Sequence, residues 1–439
     1  MTDPSPTTEH PMLPEAFAWR QGELHCEQFS MTELANQFQT PCYIYSARAL
    51  RSAYQAFATA CASLGADVDI LYAVKANPNL SILSELAALG AGFDIVSTGE
   101  MKRVLAAGGK ANKMVFSGVG KTDAELRDAL EAGVGCINLE SLSEMHRLNQ
   151  IAAALNCQAR VSLRVNPDID AKTHPYISTG LKSNKFGLPI DQALQGYVQA
   201  KGLSHLHIIG VDCHIGSQIT ELSPFLDAAD RVLTFVEALE AQGIQIDHID
   251  LGGGLGICYH DEAPPSPEAL MQALVRKVQA WAKARSRPMP KLIFEFGRAI
   301  VGPAGVLLSR VVALKPQSSP EATSFAIVDA AMNDLMRPSL YEAWHEILPV
   351  HSDSTEPARS WDVVGPVCES GDWLGRQRRL SLREGDLVIL ASAGAYGSSM
   401  ASNYNSRPRP AEVMIAPDAA PQLIRRRETF EDLVAAERL

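Results

Sequence analysis

The chain has 439 residues, 46% hydrophobic and 20% charged, a globular composition too long for one ordinary core, so two domains, one of them large, are expected. A formal net charge of −11 excludes a general binder of nucleic acid or anionic membrane, which would need clustered Lys and Arg, but leaves room for one small anionic ligand in a local basic pocket. The eight cysteines include no CxxC pair, which excludes CxxC metal and redox motifs, and no run of about 18 apolar residues is present to span a bilayer.

The first residues, "MTDPSPTTEHPMLPEAF", lack the basic start and apolar stretch of a signal peptide, and a cytoplasmic chain with reduced thiols is expected. From about Pro41, β-branched runs alternate with segments of helical period. The predicted strands are "ILYAVKA", "AGFDIVS", "KMVFSGV", "GCINLES", "ARVSLRVNP", "HIIGVDCHIG", "HIDLGGG" and "KLIFEFGR". Amphipathic helices such as "SILSELAALG", "DAELRDALEAG" and "SPFLDAADRVLTFVEALEAQG" lie between them, several closing on glycine. This is the count and size of a (β/α)₈ TIM-like barrel of the α/β class, placed at residues 45–300; a doubly wound open sheet is the rival.

After Val301 the rhythm changes. "GVLLSRVVALKP", "SFAIVDAAM", "WDVVGPVCES", "GDLVILASAGAYG" and "AEVMI" read as strands, and "PSLYEAWHEIL" reads as a helix. The expectation is a β-sandwich or β-barrel domain built from residues 301–439 and from 1–44. "PQSSPEATS" and "HSDSTEPARS" read as polar loops.

If the barrel holds, chemistry belongs at the C-terminal ends of its strands. Lys75, in the middle of "LYAVKANPN", is expected to be buried there, where desolvation favours the neutral amine that attacks carbonyls; the alternative is a lysine that snorkels to water or pairs with a carboxylate. Gly252, Gly253 and Gly254 follow the seventh strand and either cradle a phosphate or form a plain turn, with Gly297 and Arg298 after the eighth strand adding to the first reading. Glu295 should point into the barrel mouth, with Phe294 and Phe296 pointing out, either to meet a protonated ring nitrogen or to pair with an arginine such as Arg164.

His214 ends the sixth strand, where an imidazole can stack on a flat ring or fill the core, and the Ser217 hydroxyl can bind phosphate. In the C-terminal part, "GPVCESGDW" brings together Cys368, Glu369 and Asp372: a proton shuttle beside a site for an ammonium, or a buried hydrophobic cysteine. Arg337 and Tyr341 form a carboxylate clamp or a surface ion pair, and Tyr396 lies among small residues. No HExxH or comparable ligand spacing is present, and no metal is expected. Lysine, phosphate cradle, carboxylate and histidine together are what pyridoxal 5′-phosphate requires of a protein.

The segments "YAVKANPN", "GFDIVSTGE", "HPYISTGLKSNKFGL", "HIGSQI", "LGGGLGI", "EFGRAIVGPAG", "NDLMRPSLY", "GPVCESGDWL" and "GAYGSSM", in this order, closely resemble those of the diaminopimelate decarboxylases, in the alanine-racemase-like, fold type III class of pyridoxal-phosphate enzymes. The resemblance runs from Pro41 to about Ile415. It implies that Lys75 holds the cofactor, that His214 stacks on its ring, and that Glu295 pairs with the ring nitrogen. Ser217, Gly252, Gly253, Gly254, Gly297 and Tyr396 would surround the phosphate, with Arg298 beside them. Arg298, Arg337 and Tyr341 would engage the substrate's distal carboxylate, Tyr396 would also contact substrate, Glu369 would hold its distal amine, and Cys368 would be the proton donor. It further implies a homodimer in which Cys368 and its neighbours reach the other subunit's site. The family usually has Pro where this chain has Phe296, a change that frees one backbone angle beside Glu295.

The implied activity is decarboxylation of meso-2,6-diaminopimelate to L-lysine, the last step of lysine biosynthesis. Ornithine, arginine and carboxynorspermidine decarboxylation are the alternatives within the class. A regulatory homologue would be expected to lack the lysine or the cysteine, and a bare-barrel carrier of the cofactor would lack the residues after Val301.

Overall fold

The computed structural model describes residues 12–169, 184–317 and 323–438. The start of the chain through Pro11 and most of "HPYISTGLKSNKFGL" lie outside the described residues. Two compact units are present: one of residues 53–257 and 263–299, the other of residues 1–52, 258–262 and 300–439.

In the first unit, among the described residues, eight parallel strands close into a barrel: β1 (Val68–Ala73), β2 (Gly92–Ile95), β3 (Met114–Phe116), β4 (Cys136–Leu139), β5 (Ala159–Asn166), β6 (Leu206–Asp212), β7 (His248–Asp250) and β8 (Lys291–Phe296). Closure comes from β8 pairing with β1, Leu292 opposite Val68 through Phe296 opposite Tyr72. The strands are short apolar runs because a parallel sheet wrapped by helices is buried on both faces. Every residue of β2, β3, β4 and β7 is buried. Leu71, Val115, Cys136, Ile209 and Ile293 form one buried cluster.

Local chemistry sets the helix ends. Thr122 and Glu125 form a capping box on the helix Asp123–Ala132, which stops at Gly133 with φ +74°. Ser141 and Ser266 cap the helices Leu142–Ala154 and Pro267–Ala284 through hydrogen bonds from Glu144 N and Ala269 N.

Pleating alternates side chains along each strand, so Ile293 and Glu295 share one face of β8 while Phe294 and Phe296 share the other. The Phe296 ring stacks on Phe57 of the helix Ala47–Ser63 at 4.1 Å between centroids, and Phe294 lies 5.8 Å from Phe296. The phenylalanine at this position thus fills the helix layer.

The second unit is built around the long strand Gly305–Lys315. It pairs antiparallel with Cys42–Ser46, Leu387–Leu390 and Phe325–Val328, and Ala411–Ile415 joins beside Cys42–Ser46. A small sheet of Phe17–Arg20, Glu23–Cys26 and Phe29–Ser30 precedes them. The expected helix "PSLYEAWHEIL" is corrected: only Arg337–Tyr341 is helical, because Glu342 takes φ +51° and turns the chain into the strand Ile347–Pro349. Trp373–Leu380 and Gln422–Arg425 are strands with no apolar run to announce them; they lie at the ends of the strand order, where polar residues face water.

Replacing Phe296 with Ala should remove the stack on Phe57 and cost about 3–5 kcal/mol, the usual range for a buried aromatic. Denaturant unfolding followed by circular dichroism measures it; a loss within error of zero would mean the helix layer closes over the gap.

Candidate active site

Strand register places an acidic layer at the C-terminal end of the barrel. Asp212 of β6 lies opposite Asp250 of β7 and opposite Arg164 of β5, Asp250 lies opposite Ile293, and Asp94 of β2 lies opposite Ala73. Asp94, Asp212, Asp250 and Glu295 are all buried, Asp94 and Asp250 completely. One carboxylate oxygen each of Asp212, Asp250 and Glu295 lies within 4.8 Å of the others. Ser117 Oγ donates to Glu295 Oε1 at 3.4 Å and accepts from Asn138 Nδ2 at 3.1 Å.

Burial pushes all three clustered acids up. Asp212 rises to about 7 against the pull of Arg164. Glu295 rises well above its ordinary value, with Asp250 adding repulsion, and Asp250 rises likewise, with Asp212 adding repulsion. Among the described residues, Arg164 and Lys75 face the layer. Arg164 holds Glu140 at 3.1 Å and Asp212 at 3.8 Å, so its closest partners are these two and not the Glu295 weighed from sequence. Lys75 Nζ donates to Asp94 Oδ2 at 2.9 Å.

The expectation of a fully buried Lys75 is corrected. It follows β1 in the 3₁₀ turn Val74–Ala76, whose other two residues take the buried positions, and its side chain is 37% exposed. The end of the strand is where a side chain leaves the apolar layer, and there Lys75 pairs with the Asp94 carboxylate.

His214 lies two residues beyond β6, half-buried. Burial, with Arg164 and Lys75 nearby, holds its imidazole well below the ordinary value and therefore neutral. Gly253 N donates to Nδ1 at 3.2 Å, so the ring proton is on Nε2. Ser217 Oγ accepts from Arg298 at 2.9 Å, and the Arg298 side chain is buried.

The glycine run makes a close backbone approach. A Cβ on Gly253 would stand 1.8 Å from Glu295 O, and Gly254 has φ +107°, which glycine adopts at no steric cost. Gly252 N is used on Asp250 Oδ1 and Gly253 N on His214, which leaves the Gly254 amide, among the described residues, without a protein acceptor.

These residues fit pyridoxal phosphate. The bare Gly254 amide, Gly297 and the Arg298–Ser217 pair suit a phosphate. Asp94 Oδ1, Asp212 Oδ1 and Asp250 Oδ2 are buried oxygens without hydrogen-bond partners, suited to a cationic ring nitrogen or, equally, to a metal ion. Asp94, Asp212 and Asp250 belong to no motif of their own in the sequence. Their signal was an aspartate ending an apolar run, in "FDI", "VDC" and "IDL".

The second unit holds the other candidates. Arg337 is buried, with its guanidinium 4.7 Å from the Tyr259 ring centroid, and half-buried Tyr341 ends the same short helix. Cys368 and Glu369 are exposed, so the cysteine is no buried hydrophobe. Asp372 is structural: its carboxylate accepts from Met332 N at 2.6 Å and Val367 N at 2.7 Å, which pins both sides of the loop and leaves Cys368 at its tip. Tyr396 takes φ +56°, a strained conformation for a tyrosine.

The model of the pyridoxal-dependent decarboxylase family's pyridoxal-binding domain matches residues 48–302. The chain belongs to the pyridoxal-dependent decarboxylases. Within that family it is 52% identical to the diaminopimelate decarboxylase of Vibrio cholerae, over 95% of this chain and 97% of the relative's. It is 53% identical to that of Neisseria meningitidis, over 94% and 98%. A crystal structure of the Helicobacter pylori diaminopimelate decarboxylase with L-lysine matches with TM-score 0.86 and 41% identity, over 92% of this chain and 98% of that one. The decarboxylase from M. jannaschii with L-lysine matches with TM-score 0.91 and 37% identity, over 97% and 98%.

A carboxyl group whose pKa is raised by folding stabilises the fold fully below its unfolded pKa, and that contribution is lost as pH rises through the folded value. The cofactor-free protein should therefore lose stability between about pH 4, the unfolded aspartate value, and about 7, where Asp212 titrates. Asp212→Asn should flatten this slope in thermal melts across that window; an unchanged slope would mean that Asp212 does not carry it.

Proposed function

We propose that this chain catalyses the decarboxylation of meso-2,6-diaminopimelate to L-lysine, the last step of lysine biosynthesis, with pyridoxal 5′-phosphate as cofactor. The observation that carries the reading is the acidic layer of Glu295, Asp250 and Asp212 facing the Lys75–Asp94 pair at one end of the barrel. Relatives that carry this activity in their names match over nearly the whole length of the chain.

When bound, pyridoxal phosphate supplies a ring that takes up the electron pair left on carbon as carbon dioxide departs. Lys75 would hold the cofactor through Nζ and His214 would lie against its ring. Ser217, Gly252, Gly253, Gly254, Gly297, Arg298 and Tyr396 would hold its phosphate. Glu295, crowded by other carboxylates, would be stabilised by a cation in front of it, and so would keep a proton on the ring nitrogen. Arg298, Arg337, Tyr341 and Tyr396 engage the substrate, with Arg337 and Tyr341 on its distal carboxylate and Glu369 on its distal ammonium. Cys368 gives its Sγ proton to the carbon that has lost carbon dioxide, and the thiolate regains one from water.

The proposal includes a cytoplasmic homodimer. All eight cysteines are free, as a reducing compartment requires. The β domain of residues 1–44 and 301–439 would complete the site in the 45–300 barrel of the other subunit. The exposed Cys368 and Glu369 at a pinned loop tip support this, being reactive groups presented outward.

Carbon dioxide release should be confined to diaminopimelate in a panel with ornithine, arginine and lysine, and borohydride should fix the cofactor to the wild-type chain but not to Lys75→Ala. Fixation to that variant would remove the central assignment. Cys368→Ala should retain the cofactor and lose roughly 10²- to 10⁴-fold in kcat. Mixed dimers of Lys75→Ala and Cys368→Ala, each nearly inactive alone, should recover about a quarter of wild-type activity, since half the dimers are mixed and each carries one intact site; no recovery would count against shared sites.

A further inference from the structure

Arg337 and His345 lie eight positions apart, and the left-handed turn at Glu342 folds the chain back so that their side chains meet. Arg337 NH1 lies 3.0 Å from His345 Nε2. On the far side of the ring, Nδ1 lies 2.9 Å from Ala391 O. A carbonyl oxygen only accepts, so Nδ1 carries the hydrogen and Nε2 presents its lone pair to the guanidinium.

The carbonyl is itself fixed. Ala391 N donates to Glu346 O at 2.8 Å, extending the pairing of Ile347–Pro349 with Leu387–Leu390. His345 is fully buried, and the Tyr259 ring meets it edge-on at 5.0 Å while facing the Arg337 guanidinium. Sheet backbone, imidazole and guanidinium thus form one buried relay with a single consistent direction of donation.

We propose that His345 is a positioning residue for the reaction: as the neutral Nδ1–H tautomer, it orients the Arg337 guanidinium to grip the substrate's distal carboxylate. This rests on the reading of Arg337 as that carboxylate's clamp. A guanidinium has five N–H donors in a rigid fork; occupying one at the rear fixes the plane in which the remaining donors meet a carboxylate. Without the acceptor, that rear hold on the plane is lost and two-point contact with the carboxylate weakens.

The test uses two ligands that differ at one group. L-lysine keeps the distal carboxylate and ammonium of diaminopimelate, whereas 1,5-diaminopentane has the same chain and both amines but no carboxylate. In the cofactor-loaded enzyme, His345→Phe should weaken inhibition by L-lysine about 10- to 100-fold, the loss typical of a hydrogen bond to a charged group. Inhibition by 1,5-diaminopentane should be unchanged, and KM for diaminopimelate should rise with kcat held. His345→Gln, whose amide oxygen can accept from Arg337, should recover most of the L-lysine affinity. Arg337→Met serves as reference and should lose L-lysine selectively.

If Arg337→Met binds L-lysine as the wild type does, the clamp reading falls, and the proposal with it. If Arg337→Met loses L-lysine selectively but His345→Phe does not, or loses both ligands alike, the clamp stands and the positioning role is overturned. Absence of recovery in His345→Gln overturns it as well.

Discussion

The site depends on strand parity in a closed barrel. Side chains of adjacent parallel strands at the same register point the same way, so Asp212, Asp250 and Arg164, on three neighbouring strands, enter one buried layer. Glu295 joins them because Ile293, two positions before it, shares its face and pairs with Asp250. Carboxylates so close together and out of water cannot all ionise unless cations face them. Arg164 answers part of that demand and is held by Glu140, which also accepts from Gly118 N and Gly187 N. The remaining demand suits this end of the barrel to a cationic group.

Around the charged layer the backbone is equally constrained. Gly252 O accepts from Glu295 N, and Gly254 O accepts from Ile219 N, so the glycine loop is stitched both to the strand bearing Glu295 and to the loop bearing His214 and Ser217. The close approach at Gly253 is what permits this, since any side chain there would strike the neighbouring backbone. One loop therefore fixes the positions of three separate functional groups.

The second unit solves a different problem. Its reactive candidates lie on turns, and each turn is tied down by a buried polar group: Asp372 under the Cys368 loop, and Glu412 under the Tyr396 turn, where it accepts from Tyr45 and from Ser398. Such buried carboxylates are tolerable because their hydrogen bonds are satisfied. At Cys368 the tip stays exposed while its loop is tied down.

Much of this was legible in the sequence. The apolar runs gave eight strand positions, because a parallel strand buried on both faces needs little but Val, Ile, Leu and Phe; Gly252, Gly253, Gly254 and Lys75 stood out against those runs. Asp94, Asp212 and Asp250 were equally visible as letters. Their meaning was not, because each is a lone acid at the end of its own strand. The end of the helix before His345 is hidden for a related reason: helical periodicity continues past Tyr341, and the left-handed residue at Glu342 has no strong local signature. The sequence by itself determined where the elements lie and which residue types are available to the chemistry, since both follow from local patterns of burial and turn residues. Only tertiary structure decided which of them meet. Distances between strand ends are set by barrel closure, and the charge state of a buried acid is set by neighbours far away in the chain.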